Sequence, residues 1–409
     1  MLLTLLACTP EPVDEVEVGQ LRVVLVNPTV EDPFAGVDSL RVEVFGDQGA
    51  VQRAEFGLDE AVELPDLTDF GWVYVALSGL AADGEVVSFG RTPDVLVEKG
   101  QDLATEVLFL PVERELLLDF PALERAEHAA LPLDAGVALV GGGSEVMEVF
   151  GGGTWSQVGA SVSAAAGAGV ARGSDFWLVA GGVIELQGQD RLVREAYTVD
   201  VVEGTVTELP GMIDARAPGC TSIFRQDFGL VVGTEEASET LRRDPESGAW
   251  EWTRVLIGGL DGRGVEGCVN AEDGRILMLG ALSGVFDFRA ETAQDNPKIA
   301  EAFTPGSVPG ELGVEVRPGV VWTDAGVEVE LDNQSLRETF TPVDAAVDLV
   351  ALDSRVAVLS LDRVELLDLE TGLNVLVDVS FREGARLSVL PQGTLFISGP
   401  APALVQPRP

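Results

Sequence analysis

The sequence predicts an all-β protein, a small unit of short strands followed by a ring of repeated sheets, and three observations predict it. Short β-prone runs alternate with turn residues along the chain. No 3.6-residue apolar period interrupts them between Gln20 and Glu113. Beyond residue 113, apolar runs closing on a small residue return every 40–50 residues.

Composition sets the outer bounds. Of 409 residues, 46% are hydrophobic and 47 are Gly, which is enough apolar material for packed cores and enough turns to link short strands, so wholesale disorder is excluded. Lys and Arg number 26 against 68 Asp and Glu, and the net charge of −42 excludes nucleic acid as a partner. The single His (His128), three Cys and two Tyr (Tyr74, Tyr197) remove multi-His metal sites and any Ser–His chemistry not built on His128. The sequence calls for no metal and no cofactor.

In chain order, residues 1–8 read MLLTLLAC, an apolar run closing on Leu5-Leu6-Ala7-Cys8, followed by an acidic, proline-containing linker over 9–18. These eight residues resemble a bacterial lipoprotein signal. The resemblance implies cleavage before Cys8, lipid on its thiol and new amino group, and a place in the cell envelope, lipid-anchored at the outer membrane or cell surface. The segment departs from the family in having no Lys or Arg before Arg22 and in its shortness. The competing reading is a frayed terminus with an incidental cysteine. No other stretch approaches the ~18 apolar residues that span a bilayer, so any attachment runs through Cys8.

Residues 19–112 carry QLRVVLV (20–26), SLRVEVFG (39–46), WVYVALSG (72–79), EVVSFG (85–90) and LATEVLFL (103–110), each a strand signal. In size and texture the segment resembles an immunoglobulin-like sandwich, without the Cys…Trp…Cys spacing that would pin it.

Residues 113–409 carry the repeat: GVALVGGG (136–143), FWLVAGG (176–182), FGLVVG (228–233), RILMLG (275–280), GVVWTDAG (319–326), RVAVLSL (355–361) and TLFISG (394–399). Anchored on Gly141, Gly181, Gly233, Gly280, Trp322, Leu359 and Ile397, the steps are 40, 52, 47, 42, 37 and 38 residues. Units of that length holding several strands are propeller blades, and the segment divides into about seven of them. The doublets Gly141-Gly142 and Gly181-Gly182, with the Trp-bearing turns VFGGGTWSQV (149–158) and RRDPESGAWEW (242–252), resemble kelch blades. Later blades depart: Gly280 stands alone, and Leu373 takes the place of the Trp. The last blade offers three strands, ARLSVL (385–390), TLFISG and ALVQP (403–407), and ELLLDF (115–120) is the expected fourth, closing the ring between distant parts of the chain.

Cys220 and Cys268 lie 13 and 12 residues before Gly233 and Gly280, near-equivalent places on the inner strands of consecutive blades. In an exported protein they are disulfide candidates, provided their Cα atoms come within about 7 Å; two buried free thiols are the alternative. Arg125, Arg216, Arg263 and Arg382 each stand shortly before the first strand of a blade. The repeat places them to converge at one mouth of the central channel, where guanidinium groups would bind carboxylate or phosphate. Alternatively each pairs with its sequence neighbour Glu124, Asp214, Asp261 or Glu383. His128 lies in the same zone and is read as a hydrogen-bonded channel residue, and also as a candidate ligand contact. Acidic turns at Asp244-Pro245-Glu246 and Asp273-Gly274 lack a Ca²⁺-loop pattern and read as turns.

The function expected is binding rather than catalysis: a lipid-tethered monomer presenting its propeller to an envelope protein, a peptide or a polysaccharide. The alternatives are a propeller hydrolase or lyase acting on an acidic glycan through the arginines, and a purely structural envelope protein.

Overall fold

The computed structural model describes residues 20–46, 52–58, 71–97, 102–118, 125, 127–134, 136–224, 228–233, 238–255, 265–270, 275–280, 284–287, 292–295, 313–317, 320–323, 327–330, 335–338, 348–352, 355–368, 373–380, 382, 385–399 and 401–409. Cys8, Arg263 and the Asp273-Gly274 turn lie outside them. All regular structure among these residues is strand, so the all-β expectation holds.

Nine strands come first: β1 (Gln20–Val26), β2 (Ser39–Gly46), β3 (Gln52–Gly57), β4 (Gly71–Leu80), β5 (Val86–Arg91), β6 (Val95–Val97), β7 (Asp102–Leu108), β8 (Leu110–Pro111) and β9 (Glu115–Leu117). β1 and β7 pair in parallel, and the antiparallel sheet β3-β2-β4-β5-β8 carries β6 on β4. Alternation explains the layering. In β2, Leu40, Val42 and Val44 are buried while their neighbours are not, and they meet Val23 of β1 and Val107 of β7 in one core.

Apart from one inserted hairpin, the remaining strands form four-stranded antiparallel sheets, each from consecutive chain except the last. Sheet 1 is β10 (Ala129–Leu133), β11 (Gly136–Gly141), β12 (Ser144–Gly151) and β13 (Thr154–Ser161). Sheet 2 is β14 (Gly169–Arg172), β15 (Phe176–Ala180), β18 (Ala196–Asp200) and β19 (Val206–Glu208), with the hairpin β16 (Val183–Leu186) and β17 (Gln189–Leu192) inserted between its second and third strands. Sheet 3 is β20 (Pro218–Phe224), β21 (Phe228–Gly233), β22 (Ser238–Arg243) and β23 (Trp250–Val255). Sheet 4 is β24 (Val265–Asn270), β25 (Arg275–Gly280), β26 (Gly284–Asp287) and β27 (Thr292–Asp295). Sheet 5 is β28 (Gly313–Arg317), β29 (Val320–Thr323), β30 (Val327–Glu330) and β31 (Ser335–Glu338). Sheet 6 is β32 (Asp348–Leu352), β33 (Arg355–Leu359), β34 (Arg363–Asp368) and β35 (Asn374–Asp378). Sheet 7 takes β36 (Leu387–Val389), β37 (Leu395–Ile397) and β38 (Ala403–Val405) from late in the sequence, and its fourth strand is β9.

First strands lie beside first strands. β14 packs on β20, β20 on β24, β24 on β28, β28 on β32, β32 on β36, and β36 on β10. Sheets 1 and 2 share a core through Leu131, Val140, Val179 and Val199. Sheets 1, 2, 3, 6 and 7 thus bury faces against neighbours, which small sheets lack the apolar area to do alone. Tryptophans recur at these joints. Trp155 of sheet 1 packs on Phe396 of sheet 7 with ring centroids 5.9 Å apart, and its register equivalent Trp252 joins the core between sheets 2 and 3, its Nε1–H donating to the Pro210 carbonyl at 2.7 Å.

The glycines that close the second strands are dictated by close approach. Gly141 (φ +72°) and Gly181 (φ +67°) lie in the left-handed region, and a Cβ would stand 2.2 Å from the Ala165 carbonyl oxygen and 2.4 Å from that of Arg216. The next residue donates its N–H to the same acceptor, Gly142 to Ala165 at 3.1 Å and Gly182 to Arg216 at 2.8 Å. The doublet therefore seats the chain arriving at the next sheet.

The N-terminal unit is fastened to the last sheet. Leu108 and Leu110 enter a core with Val137, Phe150 and Phe396. Arg91 Nε donates to the Gln392 carbonyl at 3.1 Å, and Arg408 bridges Glu85 and Glu113 at 3.0 and 2.9 Å.

Candidate functional site

Three of the four arginines are described, and each is buried on a carboxylate remote in sequence. Arg125, 4% exposed, enters sheet 1, donating from Nη1 to the Gly141 carbonyl at 2.8 Å and from Nη2 to Glu148 on β12 at 3.3 Å. Arg216 enters sheet 3 and donates from Nη2 to Glu239 on β22 at 2.6 Å, with Asp214 at 3.5 Å. The Glu239 side chain is fully buried and also accepts the backbone N–H groups of Ile213 and Asp214 at 2.7 and 2.9 Å. Arg382 enters sheet 7 and donates to Glu115 on β9 at 2.5 Å, to the Ser380 carbonyl at 2.8 Å and to the Ala401 carbonyl.

These pairs are interior clamps. Each ties the chain arriving at a sheet to that sheet's third or closing strand. The partners are Glu148, Glu239 and Glu115, where sequence proximity suggested Glu124, Asp214 and Glu383; Glu124 and Glu383 lie outside the described residues, and Asp214 takes part at the longer distance. Burial pulls the Arg125 guanidinium below its ordinary value, against the Glu148 charge that holds it up. Burial would raise the Glu115 carboxyl, but hydrogen bonds from Ser380 and Arg382 outweigh that and hold it below the usual carboxylate range.

The clamp positions share one register. Glu148 pairs with the residue two before Gly141, and Glu239 with the residue two before Gly233. Glu365 of sheet 6, fully buried, pairs with Val358, one before the Leu359 anchor, and accepts the Asn374 amide. In sheet 2 the clamp position holds Tyr197, opposite Val179. These glutamates escaped the sequence reading, although a signal existed, since 23 residues separate Arg125 from Glu148 and Arg216 from Glu239 alike.

His128 is 2% exposed at the convergence of sheets 1, 2 and 7, its Nε2 2.6 Å from Ser398 Oγ. Its Nδ1 has no hydrogen-bond partner among the described residues. Burial, then the charges of Arg125 and Arg386, push its pKa down to about 4, so the imidazole is neutral at pH 7. Ser398 is itself fully buried, so the pair is a packed hydrogen bond, set at the wall of a small pocket of about 130 Å³ that Glu127 and Arg386 also line.

Cys220 and Cys268 stand on β20 and β24, adjacent first strands. Asp244 makes the expected turn, its Oδ1 accepting the N–H groups of Glu246 and Ser247 at 2.9 and 2.6 Å. No group of three potential metal ligands occurs among the described residues, and no described helix is long and apolar enough to cross a membrane. Comparison with protein-family models and with curated proteins returns no match for this chain.

Proposed function

We propose that this chain is a lipoprotein, lipidated at Cys8 and held off the bacterial envelope by the acidic linker, whose seven repeated sheets are the blades of a kelch-like β-propeller serving as a binding module. In this reading residues 113–409 present the ligand face, and residues 19–112, an immunoglobulin-like sandwich, form a rigid pedestal docked on the last blade. One observation carries the reading. The seventh sheet is completed by β9, so late and early segments share a blade, the device that closes a propeller ring. The clamps on Glu148, Glu239 and Glu115 favour binding over chemistry, because they commit the arginines of three blades to holding the scaffold.

Two experiments test it. Intact mass of the protein from its own host, before and after reduction with alkylation, should begin at Cys8 with diacylglyceryl and acyl additions; an unmodified Met1 would overturn the envelope address. A screen of the protein against envelope polysaccharides, peptides and envelope proteins should give saturable binding without turnover. Turnover of an acidic glycan would replace this reading with the hydrolase alternative.

A further inference from the structure

The repeat rule breaks most clearly in sheet 2. Its third strand carries Tyr197 where sheets 1 and 3 carry the clamping glutamates, and the connection into that strand carries the hairpin β16–β17. β17 pairs only with β16 among the described residues, all four of its residues are exposed, and Leu186 and Leu192 are 43% and 52% exposed. The base of the insertion bridges the connection between sheets 1 and 2, Val183 and Ala166 exchanging backbone hydrogen bonds at 2.9 and 2.8 Å, while its outer strand joins no sheet among the described residues. Departures from an otherwise consistent repeat are where function is expected.

Beneath the hairpin a cleft of about 680 Å³ opens between sheets 1 and 2, within the size range of ligand sites. Its floor is apolar, with Val162 and Leu209 buried and Ile184 reaching in from the hairpin. Its rim carries Glu145, Glu185, Glu195 and Glu208 against one cation, Arg194, which donates to the Ile213 carbonyl at 3.5 Å. Tyr197 lines the cleft, its ring largely buried at 5% exposure. Burial raises its hydroxyl's pKa, so it stays a neutral donor. A hydroxyl on a largely buried ring that lines a cleft is placed to donate to a ligand acceptor there.

We infer that the cleft between sheets 1 and 2 is the docking site of an extended basic peptide segment of alternating apolar and Lys or Arg residues. An extended segment presents alternate side chains to opposite sides, so apolar ones enter the floor and basic ones meet the glutamate rim. A backbone carbonyl accepts from Tyr197 Oη, and Ile184, Glu185 and Leu186 of β16 line the segment's path. This names the partner of the binding module and rests on that reading.

The test is fluorescence anisotropy of the full chain with labelled (Lys-Val)₄ and (Glu-Val)₄ octapeptides at low salt. The expected result is saturable binding of (Lys-Val)₄ at least tenfold tighter than (Glu-Val)₄. Tyr197→Phe, which changes no charge, should weaken it three- to tenfold, and Glu185→Gln with Glu208→Gln, both at the surface, at least fivefold. The remote control Glu246→Gln should leave it unchanged. Absent binding, or binding to which these variants are indifferent, meaning general attraction to an acidic protein, overturns the inference. Entering the Glu185→Gln/Glu208→Gln protein in the ligand screen separates the two claims. If it binds the screen's ligands as wild type does while (Lys-Val)₄ fails, the cleft inference falls alone; if wild type binds nothing in either assay, both fall.

Discussion

Glu115 and Arg382 lie 267 residues apart in sequence and 2.5 Å apart in space, joined by a charge-assisted hydrogen bond at the point where the seventh sheet is completed. Ser380 adds its N–H to the same carboxylate at 3.0 Å and its hydroxyl at 2.7 Å. The closing strand is only three residues long, so its three backbone pairings are supported by this side-chain clasp.

Removing the clasp should loosen the ring. Glu115→Ala leaves the largely buried Arg382 without its carboxylate, and we expect a loss of about 2–3 kcal/mol, in the range for hydrogen bonds to charged groups. Glu115→Gln, which keeps an acceptor, should cost about half as much. Urea unfolding of the two variants beside wild type measures both.

The sheet 3 clamp is buried more deeply. Glu239→Ala should cost about 3–5 kcal/mol, because it strands a buried guanidinium and frees two backbone donors as well. Pairing Arg216→Met with Glu239→Leu should cost clearly less than the sum of the singles, since no lone charge remains. A double-mutant cycle by urea unfolding reads the coupling.

Acid should destabilise the protein in two steps. His128 is held at about 4 in the fold against 6.5 in an unfolded chain. Between those values the unfolded chain binds a proton that the native protein refuses, so stability falls as pH drops from 6.5 to 4, by up to about 3 kcal/mol. Glu115, held below its ordinary value of 4.5, stabilises above that pH, and its contribution is lost as pH falls through its folded value. Urea midpoints from pH 7.5 to 4 should show the first slope in wild type and a flatter one in His128→Gln.

Two glycines in one turn separate conformational cost from steric cost. Gly143 (φ +89°) has nothing within 4 Å of a Cβ, so Gly143→Ala should cost about 1 kcal/mol for its backbone alone. Gly141→Ala, with the Ala165 carbonyl 2.2 Å away, should cost at least about 2 kcal/mol more. Thermal melts of the two proteins give the comparison.

Much of the strand order is legible in the sequence because strands announce themselves locally. The run that closes on Gly141 becomes β11, and ELLLDF contains β9, the strand that completes sheet 7. The Gly141-Gly142 and Gly181-Gly182 doublets are legible for the same reason, since a Gly is needed where a carbonyl of the chain arriving at the next sheet presses on the turn. The side-chain partners were not legible. Arg125 and Glu148 meet only because β12 folds back on β11, and local proximity pointed instead to Glu124. Tyr197 carries no signal of its own in the sequence, because its departure from the clamp register exists only once the sheets are aligned.

Closure is the claim on which the propeller reading depends, and hydrogen exchange on the native protein tests it most directly. The segment Glu115–Leu117 should exchange as slowly as its partner Ala403–Val405, both opening only with the whole fold. Exchange of Glu115–Leu117 at unprotected rates, with Ala403–Val405 still protected, would mean that β9 does not close the seventh sheet and would contradict the account.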